Sequence, residues 1–156
     1  MSVLSTKVSP KNELLPLAPE NEIFRESLVK HIRDMFNKDR TKILIDGSGA
    51  SGKTILLSQF VRLQPERCIS FFIKDNIWST NVSFFLLELC LQMQQIPAIS
   101  SKFTKEISHD TLHEEHYIKQ LFYRMSRELI SYLKRTGDGP FYFVIDGLTN
   151  FDLNHC

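Results

Sequence analysis

Metal-type cysteine spacing, an excess of charge of either sign, a continuous apolar stretch in the first residues given and a bilayer-length apolar run are all missing from this sequence, and each absence argues against a class of function. Three cysteines, Cys68, Cys90 and Cys156, are an odd number without the paired spacing of a zinc site, so neither a structural metal nor a complete disulfide framework is expected. A reducing cytoplasmic location fits that usage. The formal net charge is +1, far from the basic excess that a polyphosphate backbone recruits, which argues against nucleic acid as a partner. Met1 to Lys7 lack the continuous apolar stretch of a signal peptide. The most apolar segment, Val82 to Leu91, is broken by Glu88 and falls well short of the roughly 20 residues that span a bilayer. It reads as a buried helix, and no membrane association is expected. There is no internal repeat and no low-complexity tract.

What is present is an ordinary globular composition, 42% apolar and 24% charged over 156 residues, enough for one domain with a real core. Its most informative segment is Gly47-Ser48-Gly49-Ala50-Ser51-Gly52-Lys53-Thr54. This spacing is that of a phosphate-binding loop, in which a glycine-rich turn wraps backbone N–H groups around the α- and β-phosphates of a nucleotide. The lysine reaches the β- and γ-phosphates and the hydroxyl binds Mg²⁺. With glycine at about 7% of residues, so constrained an octamer arises by chance in about one chain of this length in a hundred or fewer.

The flanks agree with that reading. Thr41-Lys42-Ile43-Leu44-Ile45-Asp46 is a short apolar β-branched run that predicts a buried strand. Ile55 to Leu63 predicts a helix that stops near Pro65, since proline lacks the N–H and clashes with the preceding turn. Lys53, Thr54 and Ile55 then open a helix, where free N–H groups and the helix dipole favour a phosphate anion.

Elsewhere, Pro10, Pro16 and Pro19 with little periodicity predict an N-terminal arm over residues 1–20, leaving 21–156 as the domain. Leu28, Ile32, Met35 and Phe36 recur at helical spacing and predict an amphipathic helix from about Glu22 to Asn37. Cys68 to Ile73 predicts a second strand, and Asn81 to Gln95 the apolar helix, ended by Pro97. Ala98 to His109 reads as a loop. Thr111 and Glu114 have capping-box spacing at the start of a long helix running to Gly137, with an apolar stripe of Ile118, Leu121, Phe122, Met125, Leu129 and Leu133. After the Gly137-Asp138-Gly139-Pro140 turn, Phe141 to Asp146 predicts a third strand. Strands alternating with helices in this way predict an α/β fold, a parallel sheet with helices on both faces.

Asp146, at the end of that apolar strand, is placed to supply a carboxylate to Mg²⁺ directly or through water beside Thr54, as in the Walker-B arrangement. The competing reading is that it simply opens an Asp-Gly turn. The segment Phe143-Val144-Ile145-Asp146-Gly147-Leu148 resembles the Walker-B stretch of STAND NTPases, the signal-transduction ATPases that include NACHT and NB-ARC domains. Ile23-Phe24-Arg25-Glu26 is similar to the Arg-Glu element that precedes the first strand in that group, which implies that Arg25 lies near the base. The resemblance spans about Ile23 to Asn150. It implies a three-layer αβα P-loop sandwich binding ATP and Mg²⁺, with Lys53, Asp146 and Asn150 in the catalytic positions.

Many members of that group carry two acidic residues after Asp-Gly-Leu, where this chain has Thr149 and Asn150. An amide can hold a water molecule but cannot take its proton at neutral pH. Slow or absent hydrolysis is therefore expected unless Asp152 or another group substitutes. The group also implies a further strand between the first and third, a fifth strand and a helical lid, none of which fits after Asp146, so a domain truncated after its Walker-B strand is expected. Three functions remain open at this point. One is a nucleotide-held regulatory switch that controls self-assembly or a protein partner. The others are a small P-loop kinase acting on a metabolite and a protein-interaction fragment without turnover.

Other constellations carry less. His109-Asp110-Thr111-Leu112-His113-Glu114-Glu115-His116 gathers metal-capable groups without the His-Glu-x-x-His spacing, and a solvated first helical turn explains it. Glu115 and Lys119 form a helix-supporting pair. Asn37-Lys38-Asp39-Arg40 has arginine where a guanine-reading aspartate would stand. Trp78 and the Phe84-Phe85-Leu86-Leu87 run read as packing residues.

Overall fold

Two apolar segments far apart in sequence pair as parallel strands in the computed structural model, which describes residues 15–38, 40–73, 81–103, 107, 114–137 and 139–147. β1 is Cys68–Phe72 and β2 is Tyr142–Asp146, in register from Cys68 opposite Tyr142 to Phe72 opposite Asp146. The ladder extends past both ends, with Tyr142 N–H donating to the Arg67 carbonyl at 2.8 Å and Ile73 N–H to the Asp146 carbonyl at 3.1 Å. Five helices accompany them among the described residues: α1 Glu26–Asn37, α2 Lys53–Arg62, α3 Val82–Gln94, α4 Pro97–Ser100 and α5 Glu115–Thr136.

Side chains alternate across a strand, so the two faces of this small sheet feed two cores. Cys68, Phe72, Tyr142 and Val144 turn to one face and pack with Val29 and Ile32 of α1 and Leu56, Phe60 and Val61 of α2. The Tyr142 ring anchors this side, with Phe36 and Phe60 edge-on at 5.1 and 5.0 Å between centroids. On the other face, Ile69 packs with Leu87, Cys90 and Met93 of α3 and with Ile118, Leu121, Met125 and Leu129 of α5. Phe71 meets Phe84 and Phe85 in edge-to-face contacts. The expected α/β class and its helices on both faces are therefore present, with a two-stranded rather than a three-stranded parallel sheet among the described residues.

The main correction concerns residues 41–46, expected as the first strand. They carry no strand; Leu44 is 85% exposed, while Ile43 and Ile45 are half-buried against the α1–α2 core. A strand exists only where a neighbour completes its ladder, and no described segment pairs with this one. α1 begins at Glu26 rather than Glu22, because the chain before it is tied down by tertiary bonds instead of helical ones. Arg62 of α2 pairs with Glu22 and donates to the Pro16 carbonyl at 3.2 Å, and Leu15 is half-buried against the core, so the end of the expected arm lies on the domain. Pro97 ends the apolar helix and also opens α4, which buries Ile99 where a loop was expected.

The remaining boundaries follow local chemistry. The Asn81 side chain accepts the Phe84 N–H at 3.1 Å and caps α3. Gly137 closes α5 in the left-handed conformation (φ 64°). Thr111, expected to cap α5, lies outside the described residues, as do Trp78, Asp39 and Asp138. The expected α5 stripe is borne out, with Ile118, Leu121, Met125 and Leu129 buried and Phe122 and Leu133 partly so. No helix among the described residues is long and apolar enough to cross a membrane.

One buried amide closes the outer edge of β1. Gln92 of α3, 3% exposed, accepts the Ser70 N–H at 2.9 Å through its Oε1 and donates through its Nε2 to the Ser70 carbonyl at 2.8 Å. These are the backbone groups that alternate away from β2, so the side chain stands where a third strand's peptide would bond. Replacing Gln92 with Leu should cost about 2 kcal/mol, because two buried hydrogen bonds to the Ser70 backbone are lost. A shift of the urea midpoint measures it, and an unchanged midpoint would show that the edge does not need the amide.

The thiols supply a second check. Burial pushes both Cys68 and Cys90 up to about 12 from an ordinary value of 9.0. The folded state thus keeps protons that the unfolded chain releases. Their contribution to stability is fully present below pH 9 and is lost as pH rises from there toward 12. Unfolding midpoints followed across that range should fall, and Cys90→Ala should flatten part of the decline.

Candidate functional site

The chain from Asp46 to Thr54 runs from irregular backbone into α2. The Asp46 carboxylate accepts the Gly47 N–H at 2.7 Å, and the Ser51 N–H donates to the Ser48 carbonyl at 3.3 Å, folding the loop back on itself. Ala50 (φ 58°) and Gly52 (φ 81°) both take the left-handed conformation. Gly52 is the N-cap of α2, and its carbonyl accepts the Leu56 N–H at 3.0 Å as the first helical bond. Unpaired N–H groups in the first turn, together with the aligned peptide dipoles, make this end of α2 electropositive.

Lys53 occupies the first helical position and bends over the loop. Its Nζ donates to the Gly47 carbonyl at 2.6 Å and the Ser48 carbonyl at 3.0 Å, and lies 3.4 Å from Ser51 Oγ. The ammonium is thereby fixed at the rim of the turn. Thr54, next in sequence, donates its hydroxyl to Asp146 Oδ2 at 2.6 Å, a contact across 92 positions. That distance is in the range of a charge-assisted O–H···O⁻ bond. Asp146 reaches it because it is the last residue of β2, at the edge of the sheet beside the start of α2. The Asp-Gly turn reading holds alongside: Gly147 has φ 79°, and a Cβ there would come within 3.1 Å of the Ile73 carbonyl oxygen.

The residues anticipated from sequence are thus gathered into one place, apart from Asn150, which lies outside the described residues together with Thr149 and Asp152. Ile55, 36% exposed, sits in the same helical turn. Thr54 and Asp146 offer adjacent hard oxygen donors, the ligand type that Mg²⁺ takes alongside water and phosphate. A hydroxyl that donates its proton to the carboxylate keeps its lone pairs for a cation. Among the described residues no group of three His, Cys, Asp or Glu side chains comes together; His109 and His113 lie outside them.

Arg25 arrives from the segment before α1. Its Nη1 donates to the Ser51 carbonyl at 3.1 Å and meets the Gly52 carbonyl at 3.5 Å. Sequence reasoning missed what holds it there. Gln59, on the buried side of α2 and 1% exposed, accepts the Arg25 backbone N–H at 3.0 Å and donates to the Ile23 carbonyl at 2.9 Å. The available signal was an amide, next to Ser58, set among the apolar Leu56, Leu57, Phe60 and Val61. The role of Asp46 in fixing Gly47 was also not anticipated.

Against known families, residues 21–154 match the model described as Nephrocystin 3, N-terminal. The chain belongs to that family. The matched region takes in Arg25, the whole loop and Asp146, so every residue of the candidate site lies within the family's domain. No curated protein and no solved structure matches the chain.

Within this family domain the tightest position is Gly52. A Cβ built there would stand 2.5 Å from Arg25 Nη2, on a backbone already in the left-handed region. Gly52→Ala should cost about 1–2 kcal/mol of backbone strain and push the guanidinium aside. Urea unfolding reads the cost, and a wild-type midpoint would contradict the left-handed cap.

Proposed function

We propose that the chain is an ATP-Mg²⁺-binding regulatory module of STAND type, a nucleotide-dependent switch with slow or absent hydrolysis. The observation that carries this reading is the Thr54 to Asp146 bond at 2.6 Å. Two halves of a nucleotide site, separated by most of the chain, meet at the end of a parallel strand and the start of a helix, the position where open α/β sheets bind ligands. A glycine-rich turn alone would not require that meeting.

On this reading the loop N–H groups and the N-terminus of α2 cradle the phosphates, and Lys53 neutralises the β- and γ-phosphates. Thr54 would hold Mg²⁺ directly and Asp146 would hold it through water or directly; the ion's contribution is charge neutralisation between phosphate oxygens. Asn150, following Asp-Gly-Leu-Thr, would hold a water molecule without accepting its proton, which suits a protein whose output is an assembly state or a bound partner rather than product.

Calorimetric titration with ATP and Mg²⁺, alongside GTP, tests the proposal. Wild-type chain should bind Mg-ATP in the micromolar range. Lys53→Ala should weaken it at least about tenfold with the fold intact, since its ammonium is a rim contact rather than a core element. Unchanged affinity in that variant would remove the site assignment. Asp146→Asn should weaken binding more with magnesium than without, and equal losses would remove the metal role.

A further inference from the structure

We infer that Arg25 is a positioning residue for the phosphate loop, set in place by Gln59, and that it acts on the loop backbone rather than on the nucleotide base. This rests on the nucleotide-binding reading of the loop and assigns the loop's rigidity to two residues outside it. The resemblance to STAND NTPases would put Arg25 near the base. Its guanidinium instead donates to the Ser51 carbonyl at 3.1 Å and lies against Gly52.

The consequence follows from peptide geometry. No cis bond is present among the described residues, so the Ser51–Gly52 peptide is trans and its carbonyl and N–H point opposite ways. Fixing that carbonyl on Arg25 turns the Gly52 N–H to the other side of the loop. The next peptide is set by α2 itself, whose first bond runs from the Leu56 N–H to the Gly52 carbonyl at 3.0 Å, and Arg25 meets that carbonyl only at 3.5 Å. One donor of the phosphate cradle, the Gly52 N–H, is therefore aimed from behind. A cationic donor is suited to this, because without it the Ser51 carbonyl would be free to rotate the peptide and present oxygen to the phosphate.

Arg25 can do this only if its own backbone is fixed: its carbonyl accepts the Leu28 and Val29 N–H groups at the start of α1, and Gln59 holds its N–H. The amide bonds Arg25 N–H at 3.0 Å and the Ile23 carbonyl at 2.9 Å, gripping the segment as a neighbouring strand would. Gln59 lies on the same helix whose first turn carries Lys53 and Thr54. The start of α2 and the arm that aims the loop are thus referenced to one rigid element, which is preorganisation of the anion site.

The test uses two probes, Mg-ATP and Mg-tripolyphosphate, titrated against the full chain. Arg25→Ala should lower affinity for both by the same factor, about tenfold, as expected for one oriented charged hydrogen bond. The nucleotide-free variant should melt where wild type does, and Arg25→Lys, which keeps a cationic donor on the arm, should recover part of the loss. Gln59→Leu should reproduce the loss and add nothing to it in an Arg25→Ala background. A loss confined to ATP would place Arg25 on the base and overturn the inference, as would unchanged binding of both probes or additive losses in the double variant. Should Gln59→Leu fail to fold, the two Arg25 variants decide on their own. Wild-type chain that binds neither probe removes the nucleotide reading itself, and this inference with it.

Discussion

The parallel pairing of β1 with β2 is the constraint on which the rest depends. Five residues at each strand, joined through most of the chain's helices, bring the end of β2 beside the start of α2. Parallel strands cannot be joined by a tight turn, so α3, α4 and α5 lie in the crossover and supply the core on one face. The other face is covered by α1 and α2, which precede both strands. Register matters for the site as much as for the core. A slip of one residue would turn Tyr142 and Val144 out of the α1–α2 core and would carry the Asp146 carboxylate away from Thr54.

Two buried glutamines perform one task at opposite sides of the molecule. An amide side chain offers an N–H donor and a carbonyl acceptor in the geometry of a peptide, and each glutamine uses both on a single stretch of backbone. Gln92 completes the edge of β1 at Ser70; Gln59 holds Ile23 and Arg25 before α1. A carboxylate in either place would lose the donor, and an aliphatic side chain would lose both groups and with them both hydrogen bonds to that backbone. The two amides thus extend the sheet-like bonding of the chain to the side of β1 away from β2 and to the segment before α1, where no strand lies among the described residues.

That bonding explains where the sequence was legible and where it was not. Periodicity found α2, α3 and α5 within a few residues, because their stripes, such as Ile118, Leu121, Met125 and Leu129, are fixed by burial against one face. β1 and β2 were equally legible as apolar runs, and the loop and Asp146 as a spaced motif. Residues 41–46 have the same β-branched composition and failed, since propensity reports the fit of a side chain to a pleated surface and not the presence of a partner. Leu44 at 85% exposure is what an apolar residue looks like when the ladder beside it is missing. Gln59 and Gln92 were illegible for a related reason: a polar residue in an apolar stripe shows that something is satisfied, but not which backbone thirty-odd or twenty-odd positions away does it.

The loop's own bonds also set how a ligand could change the molecule. Lys53 has three donors, and its contacts reach the Gly47 and Ser48 carbonyls and, at 3.4 Å, Ser51 Oγ. A phosphate taken by this ammonium would displace the weakest of these first, freeing the Ser51 side chain while Arg25 keeps the Ser51 carbonyl. Thr54 is in the same position, since its bond to Asp146 is the one polar link between the loop helix and the end of β2 described for these residues. Occupancy of the loop would thus be felt at two distant segments, the arm before α1 and the end of β2. A ligand shifts a conformational equilibrium only by its differential affinity for the two states. Here that difference would be expressed through Arg25 and Asp146, the side chains through which, among the described residues, remote parts of the chain hydrogen-bond the loop and the start of α2.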